Sequence, residues 1–206
     1  MPPESPKTPF GSACLFAVSA PSGTGKTTLC RALLKRFPDM AFSISHTTRK
    51  PRPNETDGVD YHFISKAAFK EKIKRDLWAE WEEIYGEYYG TSAELIEGHL
   101  SAGRDALLDI DVKGALQMRR RYPFCVAIFI MPPSLQTLKE RLESRGTETS
   151  ADMEKRLAIA EKEMEVGKNF RHVIVNDRLD RAFRELEDTV LRYRGRNHTQ
   201  EIQTGK

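Results

Sequence analysis

The eight residues Ala20-Pro21-Ser22-Gly23-Thr24-Gly25-Lys26-Thr27 constrain this chain more than any other stretch. They follow a short apolar run, residues 14–19, of the kind a buried parallel strand requires, and they lead into a helical pattern over residues 28–37. Strand, glycine-rich turn and helix in that order aim successive backbone N–H groups, and the positive end of the helix, at one anion-sized hollow. The run fits the phosphate-cradling pattern G-x-x-x-x-G-K-[ST] at every defined position but the first, where Ala20 stands for glycine. That change narrows the start of the turn and removes neither a donor nor a charge. In such a loop Lys26 neutralises β- and γ-phosphate oxygens, and the Thr27 hydroxyl ligates Mg²⁺ carried by the same nucleotide. The loop therefore predicts a bound nucleoside triphosphate and leaves its use open.

The rest of the chain has to supply a sheet for that loop. Buried-strand signatures recur at residues 106–111, 124–131 and 172–176, and three- and four-residue apolar spacing marks helices over 94–102, 115–121, 134–145, 152–168 and 180–193. Strands alternating with helices predict an α/β fold, a mostly parallel sheet with helices on both faces. Between residues 43 and 93 the rhythm breaks at Pro51, Pro53 and Asp57-Gly58 and the chain becomes rich in aromatics, so an inserted subdomain is expected there. Short, partly antiparallel strands and a helix over 66–75, capped by Ser65, are its expected content. A polar stretch from Gly146 followed by a charged helix reads as a second insert, a mobile flap. At 206 residues the chain has the length of one full-sized domain, able to bury roughly 70% of its unfolded surface.

Composition mainly excludes. Lys and Arg number 33 against 30 Asp and Glu, a net charge of +3, too weak for a nucleic-acid coat, and no basic stripe accompanies the aromatic residues. Cys14, Cys30 and Cys125 form no C-x-x-C pair and read as buried thiols of a reducing compartment. Residues 1–9 hold four prolines and no apolar centre, unlike a signal peptide. The longest apolar run, residues 124–131, is far short of the ~20 residues a membrane helix needs. The expectation is a cytoplasmic chain with neither membrane nor nucleic acid as a partner.

Two further constellations carry chemistry. Arg49 and Arg52 lie in a stretch where Pro51 and Pro53 forbid helix, which holds their guanidinium forks on a turn suited to a phosphate, with Tyr61, Tyr88 and Tyr89 as phenol donors; alone, the same stretch also fits a solvated basic loop. Asp109 and Asp111 stand two apart at the expected end of a strand, so both should project to one face at the carboxyl edge of the sheet, where ligands bind in such folds.

With residues 20–27, Ser45, Thr47-Thr48-Arg49, Pro51-Arg52, Asp57-Gly58, Asp60-Tyr61, Phe63, Glu80-Trp81, Tyr88-Tyr89-Gly90-Thr91, Leu108-Asp109, Asp111, Pro132-Pro133-Ser134 and Arg145-Gly146-Thr147-Glu148 in this order and spacing, the chain resembles guanylate kinases over roughly residues 15–192. That resemblance implies Mg²⁺-dependent transfer of a phosphoryl group from ATP to GMP, and to dGMP, in purine nucleotide metabolism, on a P-loop NTPase core with a mixed α/β GMP-binding insert and a helical lid. Its implied ATP site is Ala20 to Thr27 with Asn176. The phosphate of GMP falls to Arg49, Arg52, Tyr61 and Tyr89, and the base to Ser45, Glu80, Thr91 and Asp111. Catalysis falls to Lys26, Arg145 and Arg156, and the metal to Thr27 and Asp109. Implied boundaries are a disordered leader over 1–11, a kinase domain over 12–194 (core 12–42, 94–144 and 165–194, insert 43–93, lid 145–164) and a polar tail over 195–206, expected to be disordered. A monomer or weak homo-oligomer is expected.

The base assignment has its own chemistry. Guanine presents N1–H and an N2 amino group as donors beside the O6 acceptor, whereas adenine lacks that donor pair. Carboxylates at Glu80 and Asp111 accept from guanine, and hydroxyls at Ser45 or Thr91 donate to O6. Taken without the family, Glu80 also fits a solvated charge. His46, Lys113 and Glu87 depart from the family's common residues without removing a named ligand. The remaining alternatives are a catalytically inactive binding module of this family and a kinase for another nucleoside monophosphate; Lys26, Thr27, Arg145 and Arg156 weigh against the first, Glu80 and Asp111 against the second.

Overall fold

The computed structural model describes residues 8–144 and 150–204, with backbone alone at 150–152 and 196–204. Strand β1 (Leu15–Ser19) is buried along its whole length and lies at the centre of a five-stranded sheet. Helix α1 (Lys26–Arg36) begins straight after Gly25, which takes φ 94° at the helix N-terminus. Strand β2 (Ala41–Phe42) has only two residues, too few to show periodicity, and forms one edge of the sheet.

The inserted segment builds a second sheet of four strands from β3 (His46–Thr47), β4 (His62–Phe63), β5 (Trp78–Ile84) and β6 (Glu87–Ser92), ordered β4-β3-β6-β5. Its long hairpin turns at Tyr85 and Gly86, both with positive φ, the geometry that lets a two-residue turn follow the twist of its strands. Helix α2 (Lys66–Lys74) is capped as expected, the Ser65 hydroxyl accepting from the Ala68 N–H, and it presses Phe69 onto Trp78 and Tyr88. These rings form a small core of the insert's own.

Helix α3 (Ala93–Ser101) returns the chain to the first sheet, where β7 (Ala106–Asp109), α4 (Val112–Arg121), β8 (Val126–Met131), α5 (Leu135–Glu143), α6 (Ser150–Gly167), β9 (His172–Val175) and α7 (Leu179–Thr204) follow. Strand order is β2-β7-β1-β8-β9 and every pairing is parallel. Alternation along β1 divides the core: Leu15 and Ala17 face Ile96, Leu100, Ala115 and Met118 of α3 and α4, whereas Phe16 and Val18 face Leu29, Leu33, Leu186 and Val190 of α1 and α7. A parallel sheet so covered needs apolar residues on both faces, which is why its strands read as continuous apolar runs.

Two expectations are corrected at the termini. The disordered leader does not extend through residue 11, because Phe10 packs its ring 5.8 Å from Phe124 against the core. Residues 1–7 of that leader lie outside the described residues. At the other end α7 runs on to Thr204, past the expected stop near Tyr193. The polarity of that tail does not preclude helicity, and no proline interrupts it. All three cysteines are buried and none forms a disulfide among the described residues, where also no helix is long and apolar enough to cross a membrane.

Candidate active site

The turn after β1 closes on Pro21, whose carbonyl accepts the Thr24 hydroxyl at 2.7 Å and the Thr24 N–H at 3.3 Å. Gly23 and Gly25 hold φ 90° and 94°, a left-handed conformation that side chains resist. A Cβ on Gly25 would stand 2.7 Å from the Asn176 amide nitrogen. Asn176 is buried at the end of β9, and that amide donates to the Thr24 carbonyl at 2.7 Å. Arg141 of α5 adds a brace, donating to the Asn176 carbonyl at 2.9 Å and to the Thr24 carbonyl at 3.5 Å. Asn176, expected on the adenine side, thus spends its side chain on the loop.

Parallel register sets Val18 beside Asp109 and so delivers that carboxylate to the loop. Lys26 Nζ lies 2.7 Å from Asp109 Oδ1 and donates at 2.7 Å to the Ile110 carbonyl, while the Thr27 hydroxyl donates to Asp109 Oδ2 at 3.0 Å. Thr27 and Asp109 are adjacent hard oxygen donors, a set suited to Mg²⁺ that keeps its other ligands on phosphate and water. No group of three or more His, Cys, Asp or Glu able to hold a metal occurs among the described residues. From α6, Arg156 reaches across to the Ser22 hydroxyl at 3.4 Å. Arg145 lies outside the described residues.

Asp111 does not share the outlook of Asp109. Strand β7 ends at Asp109, and Asp111 caps α4, its Oδ1 accepting the Gly114 N–H at 2.7 Å. An aspartate three residues before a free helical N–H is drawn into that cap, which turns it from the common face expected for the pair. It faces Glu80 instead. Glu80 sits where β5 slips register against β6, opposite Thr91, whose hydroxyl donates to Glu80 Oε1. Ser45 Oγ stands 3.4 Å from the same Thr91 hydroxyl. Both carboxylates close on one bare spot, since a Cβ on Gly114 would lie 2.8 Å from Glu80 Oε2 and 3.1 Å from Asp111 Oδ1.

Burial pushes the Glu80 carboxyl up to about 7, with the charges of Asp111 and Glu82 adding and the Thr91 hydroxyl opposing. Glu82 is also raised by burial and by Asp111, against the pull of its ion pair with Lys113. Glu163 of α6 faces the same region and reaches about 7 through burial and the charge of Asp111, with Lys26 opposing. The pocket is therefore crowded with carboxylates that gain from a donor-rich guest.

At the far end of the insert the Arg49 fork grips Glu55 with two contacts of 2.9 Å, and Glu55 also accepts the Arg52 N–H at 2.8 Å. Arg49 lies over the Tyr61 ring at 5.6 Å, and the Tyr61 and Tyr89 rings are 6.1 Å apart. Tyr61 is raised by burial, so its phenol remains a donor at neutral pH. Tyr88, grouped with these phenols from sequence, instead faces the insert's core on Phe69, because neighbours on a strand point to opposite faces. Sequence reading missed Glu55, Glu82 and Glu163. Glu55 had a signal in its spacing of six and three residues from two arginines in a loop stiffened by Pro51 and Pro53; the other two had none beyond being charged.

Known proteins resemble this chain over most of its length. The family model described as Guanylate kinase matches residues 13–193. A guanylate kinase of Nitrosospira multiformis is 44% identical over 173 residues, 84% of this chain and 82% of its own. One of Dechloromonas aromatica is 46% identical over 176 residues, 85% and 87% of the two chains. The crystal structure of guanylate kinase from Anaplasma phagocytophilum superposes with a TM-score of 0.69 at 26% identity, covering 88% of this chain and 86% of that one. With a family match spanning nearly the whole sequence and relatives this similar, the chain belongs to the guanylate kinase family.

Proposed function

We propose that this chain transfers the γ-phosphoryl group of ATP to GMP, giving ADP and GDP, and that it accepts dGMP in the same way. The observation that carries the reading is the buried Glu80 carboxylate, facing Asp111 over Gly114 and flanked by the Thr91 and Ser45 hydroxyls. Such a surface accepts from N1–H and the N2 amino group of guanine and donates to O6, whereas adenine leaves buried lone pairs unmet, at a cost of about 1–3 kcal/mol for each unpaired group.

A phosphate oxygen of GMP attacks the γ-phosphorus directly, and the bond from that phosphorus to the β–γ bridging oxygen breaks as ADP leaves. No side-chain nucleophile is needed. The backbone amides between Ser22 and Thr27 cradle the phosphates of ATP; Lys26 exchanges Asp109 for phosphate oxygens; Arg49 and Arg52, assisted by Tyr61 and Tyr89, hold the acceptor phosphate against its repulsion from the donor. Arg156, already at the loop, offsets equatorial charge, and Arg145 is assigned the same task. Mg²⁺ arriving with ATP would be held by Thr27 and Asp109 and supplies further neutralisation of phosphate charge. One chain carries all these groups, which suits a monomer or weak homo-oligomer, and its buried thiols suit the cytoplasm.

The test is a coupled assay for GDP formation from ATP and Mg²⁺ with GMP, dGMP, AMP, UMP and dTMP as acceptors. Turnover with the two guanine nucleotides alone supports the reading; equal turnover with AMP sinks it.

A further inference from the structure

Strand β5 is the last strand of the second sheet, so among the described residues its outer edge has no neighbouring strand. One side chain of the first sheet's layer substitutes for that neighbour. Gln117 of α4 accepts the Trp81 N–H on its Oε1 at 3.2 Å and donates from its Nε2 to the Trp81 carbonyl at 2.9 Å. An amide thus satisfies both backbone groups of one edge residue, as a paired strand would.

Gln117 belongs to a row. Lys113, Gln117 and Arg121 are four residues apart and share one face of α4, where they meet Glu82, Trp81 and Asp76. Arg121 contacts both Asp76 carboxylate oxygens at 2.9 Å and the Asp76 carbonyl at 3.2 Å. Each outer ion pair has one partner, Lys113 or Asp76, open to water, and such pairs stabilise little. The central contact pairs with both backbone groups of one residue and so fixes register. It acts one residue beyond Glu80, beside the slip in pairing between Trp78 and Glu80 that leaves the regular ladder locally broken. The same helix holds Asp111 at its cap and presents Gly114 to Glu80.

We propose that Gln117 is a positioning residue for base recognition: by pairing with both backbone groups of Trp81 it indexes Glu80 to the helix that also carries Asp111, so that the two carboxylates meet the guanine rim at a fixed spacing. The proposal rests on the GMP reading above. Only a glutamine-length amide offers a donor and an acceptor together at this reach; Gln117→Met keeps the length and loses both, and Gln117→Glu keeps the acceptor alone.

Steady-state kinetics on the full chain, with melting curves for each variant, separate a positioning role from a structural one. Gln117→Met is expected to raise the KM for GMP about five- to ten-fold and to narrow the preference for GMP over AMP, with kcat at saturating GMP and the KM for ATP within about two-fold of the parent. Gln117→Glu should fall between the two. Arg121→Gln, which breaks the row at its far end, should leave the KM for GMP unchanged with at most a small drop in melting temperature. In a Glu80→Gln background the Gln117→Met change should add little, because its effect passes through Glu80. The proposal is overturned if Gln117→Met leaves the KM for GMP within two-fold, if its loss multiplies independently with that of Glu80→Gln, or if Arg121→Gln reproduces it. Should Gln117→Met fail to fold, Gln117→Glu is judged by the same criteria. The parent's own choice of GMP over AMP, measured in the same series, reports on the GMP reading separately.

Discussion

Lys26 and Asp109 stand 2.7 Å apart across the end of the parallel sheet, with the Thr27 hydroxyl on the other carboxylate oxygen. The contact follows from register: β1 and β7 run parallel with Val18 beside Asp109, so the carboxylate emerges where the phosphate loop starts. The ammonium is therefore held ready at the sheet edge and changes partner when a polyphosphate enters.

That exchange predicts a split between chemistry and acceptor binding. Lys26→Ala removes the one lysine of the loop and should lower kcat by about 10²–10³-fold, the usual loss when a preorganised group facing transition-state charge is deleted. Calorimetric binding of GMP should be unchanged, because the acceptor site is built from the second sheet and the cap of α4, without Lys26. A comparable loss of GMP affinity would show that the two halves of the site are not separable in this way.

Glu80 makes GMP use depend on pH. Its carboxyl is raised by burial from an ordinary 4.5 to about 7, so between those values the folded chain keeps a proton that the unfolded chain has released. Stability contributed by this group therefore falls as pH rises through that window. Guanine needs the ionised form, whose lone pairs accept its donors, so binding pulls the proton off. Accordingly kcat/KM for GMP should fall as pH drops below about 7, and Glu80→Gln should flatten that limb while lowering the plateau. A limb that persists unchanged in Glu80→Gln would assign it elsewhere.

Long parallel strands and the phosphate loop were legible before any coordinates because each is written in contiguous residues: apolar runs at β1, β7 and β8, and eight loop positions in a row. Strand β2 was not, since two residues at a sheet edge carry no period. The opposed outlooks of Asp109 and Asp111 were hidden by a choice between strand and cap that depends on where α4 begins. Tyr88 and Tyr89 looked equivalent as neighbours, and only the register of β6 sends one to the core and the other toward Tyr61. Glu82 and Gln117 gain their roles from the meeting of β5 with α4, 31 and 36 residues apart along the chain, a distance at which no local pattern speaks.

Asn176 braces the phosphate loop from behind, and its removal should register on the ATP side alone. Asn176→Ala deprives the buried Thr24 carbonyl of its 2.7 Å donor, leaving Arg141 at 3.5 Å. Denaturant unfolding should show a loss of about 1–3 kcal/mol, the cost of an unmet buried polar group. The KM for ATP should rise and that for GMP stay constant. An unaltered KM for ATP would show that Arg141 and the glycines hold the loop without Asn176.

Gly114 offers the sharpest separation of stability from recognition. It lies in the first turn of α4, where alanine is the better helix former by roughly 0.5–1 kcal/mol. Yet the added methyl would stand 2.8 Å from Glu80 Oε2 and 3.1 Å from Asp111 Oδ1. Both contacts are with the ends of side chains, so the backbone can stay while the carboxylates move aside. Gly114→Ala should therefore melt close to the parent, the helix-propensity gain offsetting the weakened Asp111 cap, and still raise the KM for GMP by about ten-fold or more, since displacing both acceptors spoils two hydrogen bonds at once. Kinetics with ATP varied at saturating GMP should be near normal. A variant that melts lower and binds GMP normally would mean that the helix shifts while the carboxylates hold their place, Glu80 being kept there by its burial and its Thr91 contact.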